Sequence, residues 1–167
     1  MTEPRASRPG GRAASTFSVG LISDTHGLLR PEALRALAGS NFIIHAGDIG
    51  DPAILSALRR IAPLTAVRGN NDRGAWAAAL PETAVLAIGA VRILVIHDLA
   101  ELDLDPAATG YRAVVSGHSH RPHCREDNGV LWINPGSAGP RRFRLPIAAG
   151  RLRVSGATLT ARLIYLV

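Results

Sequence analysis

Short apolar runs that stop abruptly at glycine, aspartate, asparagine or histidine recur along this 167-residue chain. Phe17-Ser-Val-Gly-Leu-Ile-Ser23 stops at Asp24, Asn41-Phe-Ile-Ile-His-Ala46 stops at Gly47-Asp48, and Leu64 to Arg68 runs into Gly69-Asn70. Runs of this length suit strands. Helical patterns separate them. Pro31 to Ala38 carries Ala33, Leu34 and Leu37 at helical spacing behind a proline suited to a first turn. Asp51-Pro52 reads as an N-cap followed by proline, with Ile54, Leu55, Leu58 and Ile61 along one face and Arg59-Arg60 in the last turn. The first half is thus β-α-β-α-β, which implies parallel strands.

The second half changes character. Thr83 to Ile88 and Val91 to His97 read as a hairpin about Gly89-Ala90, and Ala113 to Ser116 as a further strand before Gly117. Val130 to Ile133 follows an Asp127-Asn-Gly129 turn, and Ile147 to Val154 with Ala157 to Val167 form a terminal hairpin. The mixture implies an α/β fold of two packed sheets with helices outside. Residues 1–16, with Arg5, Arg8 and Arg12 among small residues, read as a disordered tail, and 17–167 as a single domain. With no apolar leader and no run near the ~20 residues of a membrane span, the expected location is cytoplasmic.

Composition removes several chemistries. All nineteen basic residues are arginine, so neither a P-loop lysine nor a Schiff-base lysine is available. The single Cys124 excludes an internal disulfide and a thiolate-rich zinc site. What remains lies where the strands stop: Asp24-x-His26, Gly47-Asp48, Gly69-Asn70-Asn71-Asp72, His97 and Gly117-His118-Ser-His120. Ligand sites of α/β sheets lie beyond the carboxyl ends of strands. In an extended segment, Asp24 and His26 would face one side, and His118 and His120 would share an ion or feed two neighbouring ones. Imidazole and carboxylate without thiolate suit manganese, iron, zinc or nickel rather than calcium.

These blocks, in this order, resemble the signature of the calcineurin-like metallophosphoesterases: D-x-H, G-D, G-N-x-[DE], H and G-H-x-H. Gly117-His-Ser-His-Arg-Pro122 and Asn134-Pro-Gly-Ser137 extend the resemblance, which covers roughly residues 17 to 142. Length and the N-P-G-S block point to the small single-domain phosphodiesterase branch (YfcE-like), whose relative without a working metal site is the small subunit of retromer. The resemblance implies a four-layer αββα sandwich of two mixed β-sheets flanked by helices. It implies two divalent ions, manganese first, with iron, nickel or zinc as alternatives. Asp48 would bridge them, Asp24, His26 and His120 completing one site and Asn70, His97 and His118 the other. A bridging hydroxide held by Asp48 would attack the phosphate ester, with no protein nucleophile. The substrate expected is a small-molecule or nucleotide-like phosphate ester, a diester before a monoester. Nucleic acid ranks behind it, no membrane partner is expected, and the oligomeric state is open. The alternative is a non-catalytic scaffold of the same fold.

Two positions depart from the family pattern. Asn71 stands where larger relatives carry a histidine that protonates the leaving group, so substrates with good leaving groups are expected. Asp98 stands where glycine is usual after the ligand histidine, either orienting His97 or facing solvent. Asp72 is expected to brace the Gly69-Asn70 turn, and Arg141 and Arg142 either clamp a phosphate or form a solvated turn. His45 reads as a structural or supporting histidine, and His123 as peripheral. His118-Ser-His120-Arg-Pro-His123 also has the spacing of the metallo-β-lactamase H-x-H-x-D-H, but Pro122 replaces its aspartate. Residues 17–120 are mildly acidic, while 121–167 hold eight arginines against two acids. That distribution favours an anion-steering bias beside a cation site over a nucleic-acid platform, which would want more stacking aromatics.

Overall fold

The computed structural model describes residues 15–167. Of the expected tail, residues 1–14 lie outside the described residues, and Thr16 already opens the first strand.

Ten strands form two five-stranded sheets. In the first sheet, β1 (Thr16–Ile22), β2 (Phe42–His45) and β3 (Leu64–Ala66) run parallel, and β9 (Ala148–Ser155) and β10 (Thr158–Tyr165) add antiparallel in the order β10-β9-β1-β2-β3. The second sheet joins parallel β5 (Val91–Ile96), β6 (Ala113–Val115) and β8 (Val130–Asn134). Antiparallel β4 (Thr83–Ile88) and β7 (His123–Asp127) form its edges, in the order β4-β5-β6-β8-β7. The sequence pattern contains β7 only as the arm preceding the Asp127-Asn-Gly129 turn. Its five residues are all exposed and carry no apolar alternation, which is why hydropathy does not reveal it.

Alternate residues of the central strands feed different layers. Val19, Leu21, Ile44, Ile93, Val95, Val115 and Leu152 meet in the core between the sheets. Ile22 and Ile43 face outward, onto α1 (Pro31–Leu37) and α2 (Pro52–Arg59), through Ala33, Leu37, Ile54, Leu55 and Leu58. Burial on both faces explains why these strands read as continuous apolar runs. The Asp51 side chain accepts from Ala53 N at 2.8 Å, capping α2 ahead of Pro52 at its first position. A single turn, α3 (Ala75–Ala78), precedes β4.

The outer face of the second sheet is covered differently. Leu94, Ile96, Val114 and Val130 pack beneath Tyr111, Leu102 and Ala107, on the segment between β5 and β6. A 3-10 helix over Leu99–Glu101 is its one helical piece. The expected sandwich is therefore present, with a thin fourth layer. Among the described residues, no helix is long and apolar enough to cross a membrane.

Candidate metal centre

The six parallel strands deliver their carboxyl ends to one edge of the sandwich. Backbone pairing continues past the strands there. Asp24 N donates to Gly47 O (3.0 Å), His26 N to Asp48 O (2.9 Å) and Gly117 N to His97 O (2.9 Å). The two sheets are tied where His118 N donates to Asp24 Oδ2 at 3.1 Å. Approaches this close leave no room for side chains. A Cβ on Gly69 would strike Asp48, and one on Gly117 would strike Ser23 and Asp24.

The candidate ligands do not converge by strand pleating. Asp24 (φ 54°), His26 (44°), Asp48 (56°), His118 (69°) and His120 (60°) all occupy the left-handed region, so i and i+2 are not two positions of an extended segment. Asp, Asn and His tolerate this region better than most side chains. Each such residue still costs about 1–3 kcal/mol, a cost that persists only where surrounding contacts enforce it. Here the enforcing contacts are the backbone bonds between loops. The strain is concentrated at the site, since the other described non-glycine residues with positive φ are Asn128 and Phe143.

Two groups result. Asp24, His26 and His120 bring ligand atoms together, as do Asp24, Asp48 and His97. His26 Nε2 and His120 Nε2 lie 3.2 Å apart, and His120 Nε2 lies 3.2 Å from Asp24 Oδ1. Asp48 Oδ2 stands between the groups, 3.7 Å from His26 Nε2 and 3.4 Å from His97 Nε2. Asn70 Oδ1 meets His97 Nε2 at 2.9 Å and His118 Nδ1 at 3.2 Å. His118 and His120, two residues apart, thus meet different partners, Asn70 for the first and Asp24 and His26 for the second.

This donor set fits a cation. Asp24 Oδ1 is buried without a hydrogen-bonded partner, and two imidazole nitrogens face each other beside it. His97 Nδ1–H donates to the Ala46 carbonyl at 2.7 Å, which fixes the tautomer and aims the Nε2 lone pair into the site. Burial alone would raise the Asp24 carboxyl, but the close His120 and His26 imidazoles and the Ser23 hydroxyl outweigh it and hold it well below the usual carboxylate range. Burial opposes ionisation of Asp48 too, yet His97 and both hydrogen bonds from Asn71 bring its pKa down to about 2. Both acids are therefore ionised at neutral pH. Burial acts to lower His97, but Asp48 and Asp24 outweigh it and raise it.

The supporting residues have defined contacts. Asn71 donates from its backbone to Asp48 Oδ1 (2.9 Å) and from its side-chain amide to Asp48 Oδ2 (2.8 Å). Asp72 is buried and accepts from Gly69 N, Ile49 N and Gly50 N, bracing the β3 and β2 loops together. Asp98 caps Ala100 N with Oδ1 and lies 3.6 Å from His118 Nε2 with Oδ2, so it faces His118 rather than His97. Arg141 and Arg142 are exposed, and Arg141 reaches the Val167 carbonyl at 3.4 Å.

Four further residues support the loops. His45 is fully buried, and burial pushes its pKa down to about 4. It accepts from Gly47 N through Nδ1, so the neutral ring donates from Nε2 to Thr25 Oγ1, which donates to Ile49 O. Ser23 donates to Asp24 Oδ2 at 2.6 Å. Asn134 donates to Gly117 O and Ser119 Oγ, and Ser137 donates to the Asp24 carbonyl. Asn134 and Ser137 were visible as the N-P-G-S block, whereas their partners were not.

The profile of the calcineurin-like phosphoesterase superfamily domain matches residues 17–157. The chain is 34% identical over 158 residues to a protein of Methanothermobacter thermautotrophicus described as a probable metallophosphoesterase, covering 87% of this chain and 91% of that one. Vacuolar protein sorting 29 from Cryptosporidium parvum superposes with a TM-score of 0.78 at 21% identity, over 91% of this chain and 92% of that one. An archaeal phosphodiesterase superposes with a TM-score of 0.72 at 22% identity, over 89% and 100%.

Proposed function

The chain belongs to the calcineurin-like phosphoesterase superfamily, and on that premise we propose that it is a dinuclear metal-dependent phosphodiesterase of the cytoplasm. The observation that supports this reading is that Asp24, His26, Asn70, His97, His118 and His120 gather at one edge of the sandwich, with the Asp48 carboxylate between His26 and His97. Asp24, His26 and His120 would hold one divalent ion and Asn70, His97 and His118 the other, with Asp48 common to both. Manganese is the first choice, and iron, nickel or zinc suit the same donors. When bound, such a pair of ions supplies Lewis acidity toward a phosphate ester and activates water for attack on phosphorus.

The chain's own residues set up that chemistry. Asn71 occupies both oxygens of Asp48 and so fixes the plane of the shared carboxylate. His97 is oriented by Ala46, and Asp98 stands beside His118 where it can orient that ring. No candidate protein nucleophile is needed. Asn71 carries no titratable proton and its amide is committed to Asp48, so the leaving group departs without an acid at this position. Substrates with good leaving groups, aryl or nucleotide-like diesters among them, suit such a site.

The likeness to vacuolar protein sorting 29 supports a second reading, a scaffold that keeps the fold for protein contacts. A scaffold has no requirement for the complete ligand set present here. Assays on bis(p-nitrophenyl) phosphate with manganese, nickel and zinc in parallel separate the two. Metal-dependent hydrolysis lost in Asp48→Asn is the expected result, and a chain that binds no metal and is inert with every ion overturns the proposal.

A further inference from the structure

Two recesses share Arg121, the residue after His120, and the first of them is also lined by His118 and Asp98 of the candidate metal centre. The first, about 300 Å³, opens between Leu99, at the start of the segment covering the second sheet, and residues of β7 and β8. Its walls include Leu99 on one side and Trp132 and Arg125 on the other, and it reaches His118 and Asp98 at the centre itself. Trp132 and Arg125 are direct partners across β8 and β7, with the guanidinium 5.7 Å from the indole centroid. A flat apolar surface beside a cation is thereby presented next to a metal ligand.

The second recess, about 570 Å³, is lined by Arg121, Phe143, Arg144 and Leu145. Phe143 is 92% exposed and adopts φ 52°. A bulky residue is rarely left-handed, and an aromatic ring gains nothing from standing in water. Strain and exposure in one side chain point to a contact still to be made. The loop that carries it is fixed to the centre from below. Gly139 packs against the Thr25 and Asp24 backbone, Arg30 donates to the Gly139 carbonyl, and Ser137 donates to the Asp24 carbonyl.

We propose that the two recesses receive the two organic arms of a phosphodiester, each arm bearing an aromatic ring, one against Trp132 and Leu99 and the other against Phe143, with Arg121 between them facing the anionic phosphate. The proposal rests on the phosphodiesterase reading and narrows its substrate class. It assigns diester selectivity to contacts outside the metal ligands, since a monoester can fill only one recess. Aryl and nucleoside groups share the required chemistry, a planar ring with a stacking face, carried on the ester oxygen in an aryl ester and through the ribose in a nucleoside.

The test uses the full chain loaded with manganese. Diphenyl phosphate and phenyl phosphate are titrated by calorimetry into the native protein, Trp132→Ala and Phe143→Ala, and kcat/KM is measured on bis(p-nitrophenyl) phosphate. Each substitution is expected to weaken diphenyl phosphate by about 5- to 150-fold, the range of one lost aromatic stacking contact. Phenyl phosphate is expected to respond to only one of the two, and Trp132→Phe to restore binding, which separates ring contact from folding. A parallel titration with a dinucleoside monophosphate assigns the arms to nucleosides if it binds more tightly than diphenyl phosphate, and to aryl groups if more weakly. Binding unchanged in both variants, or both ligands weakened alike by both, overturns the proposal even where the native protein hydrolyses diesters. Ring-dependent binding without hydrolysis under any metal instead overturns the phosphodiesterase reading and leaves the recesses assigned.

Discussion

On one flank of the centre Asp24, Asp48 and His120 are buried, His45 lies beneath them, and the covering residues are the helix-bearing loops of the first sheet. On the other flank Asn70 and His118 are exposed, and of its three candidate ligands only His97 is buried. The flanks draw on similar donor types but differ in how firmly these are held. Both flanks have inter-loop bonds, Asp24 N to Gly47 O on the buried one and Gly117 N to His97 O on the open one, but the exposed His118 ring is held at the rim, by Asn70 and Asp98. The difference teaches which part of such a centre is framework and which is entrance. An ion on the buried flank should exchange slowly, and substrate should arrive over His118.

The carboxylate common to both flanks is the place where the comparison should collapse. Asp48→Asn is expected to reduce diester hydrolysis by at least about 10³-fold and to lower metal affinity on both flanks together. A change confined to one ion would show that Asp48 is not shared.

The buried flank should also reveal itself in pH dependence of stability. His45 has its pKa lowered to about 4 from an ordinary value near 6.5. Between these values the unfolded chain binds the extra proton, so stability is complete above about pH 6.5 and falls as the pH drops toward 4. The fall is up to roughly 3 kcal/mol. Thermal unfolding from pH 7 to 4, compared with His45→Gln, measures it, and equal slopes in the two proteins would remove His45 as the cause.

Smaller effects sharpen the contrast. Asn71→Ala strips Asp48 Oδ2 of its amide donor while keeping the backbone bond to Oδ1. It is expected to cost about 10- to 100-fold in activity or metal affinity, as other removals of a ligand-orienting group do. Asp98→Asn should act on the open flank alone, costing about 10-fold in kcat/KM. Metal titrations should show the weaker-binding ion affected and the tighter one unchanged.

Much of this was legible in the sequence because the strands end where their chemistry begins. Asp24, Asp48, Asn70, His97 and His118 each follow an apolar run, and the parallel order β1-β2-β3 followed from the helices between them. The route to convergence was not legible. Alternation along an extended strand places Asp24 and His26 on one side, yet the actual residues are left-handed and held by bonds between distant loops. Backbone conformation of that kind depends on partners that a local pattern does not contain. The supporting role of His45 was legible, but the same limit hid its partner Thr25 across a neighbouring loop, and hid β7, whose polar residues pair with β8 but bury nothing. Asp98 lies next to His97 in sequence but faces His118 in space. The basic segment after residue 120 proved to be several things at once, since Arg121 and Arg125 line a recess while Arg151 donates to Ser18 and to the Ala36 carbonyl.

The number of ions the chain binds tests the dinuclear centre most directly. Metal-depleted protein is titrated with manganese while bound ion and bis(p-nitrophenyl) phosphate hydrolysis are followed together. Two ions per chain are expected, the first bound more tightly, with hydrolysis rising only as the second is taken up. Full activity at one ion per chain, or saturation of two sites without any hydrolysis, would contradict this expectation.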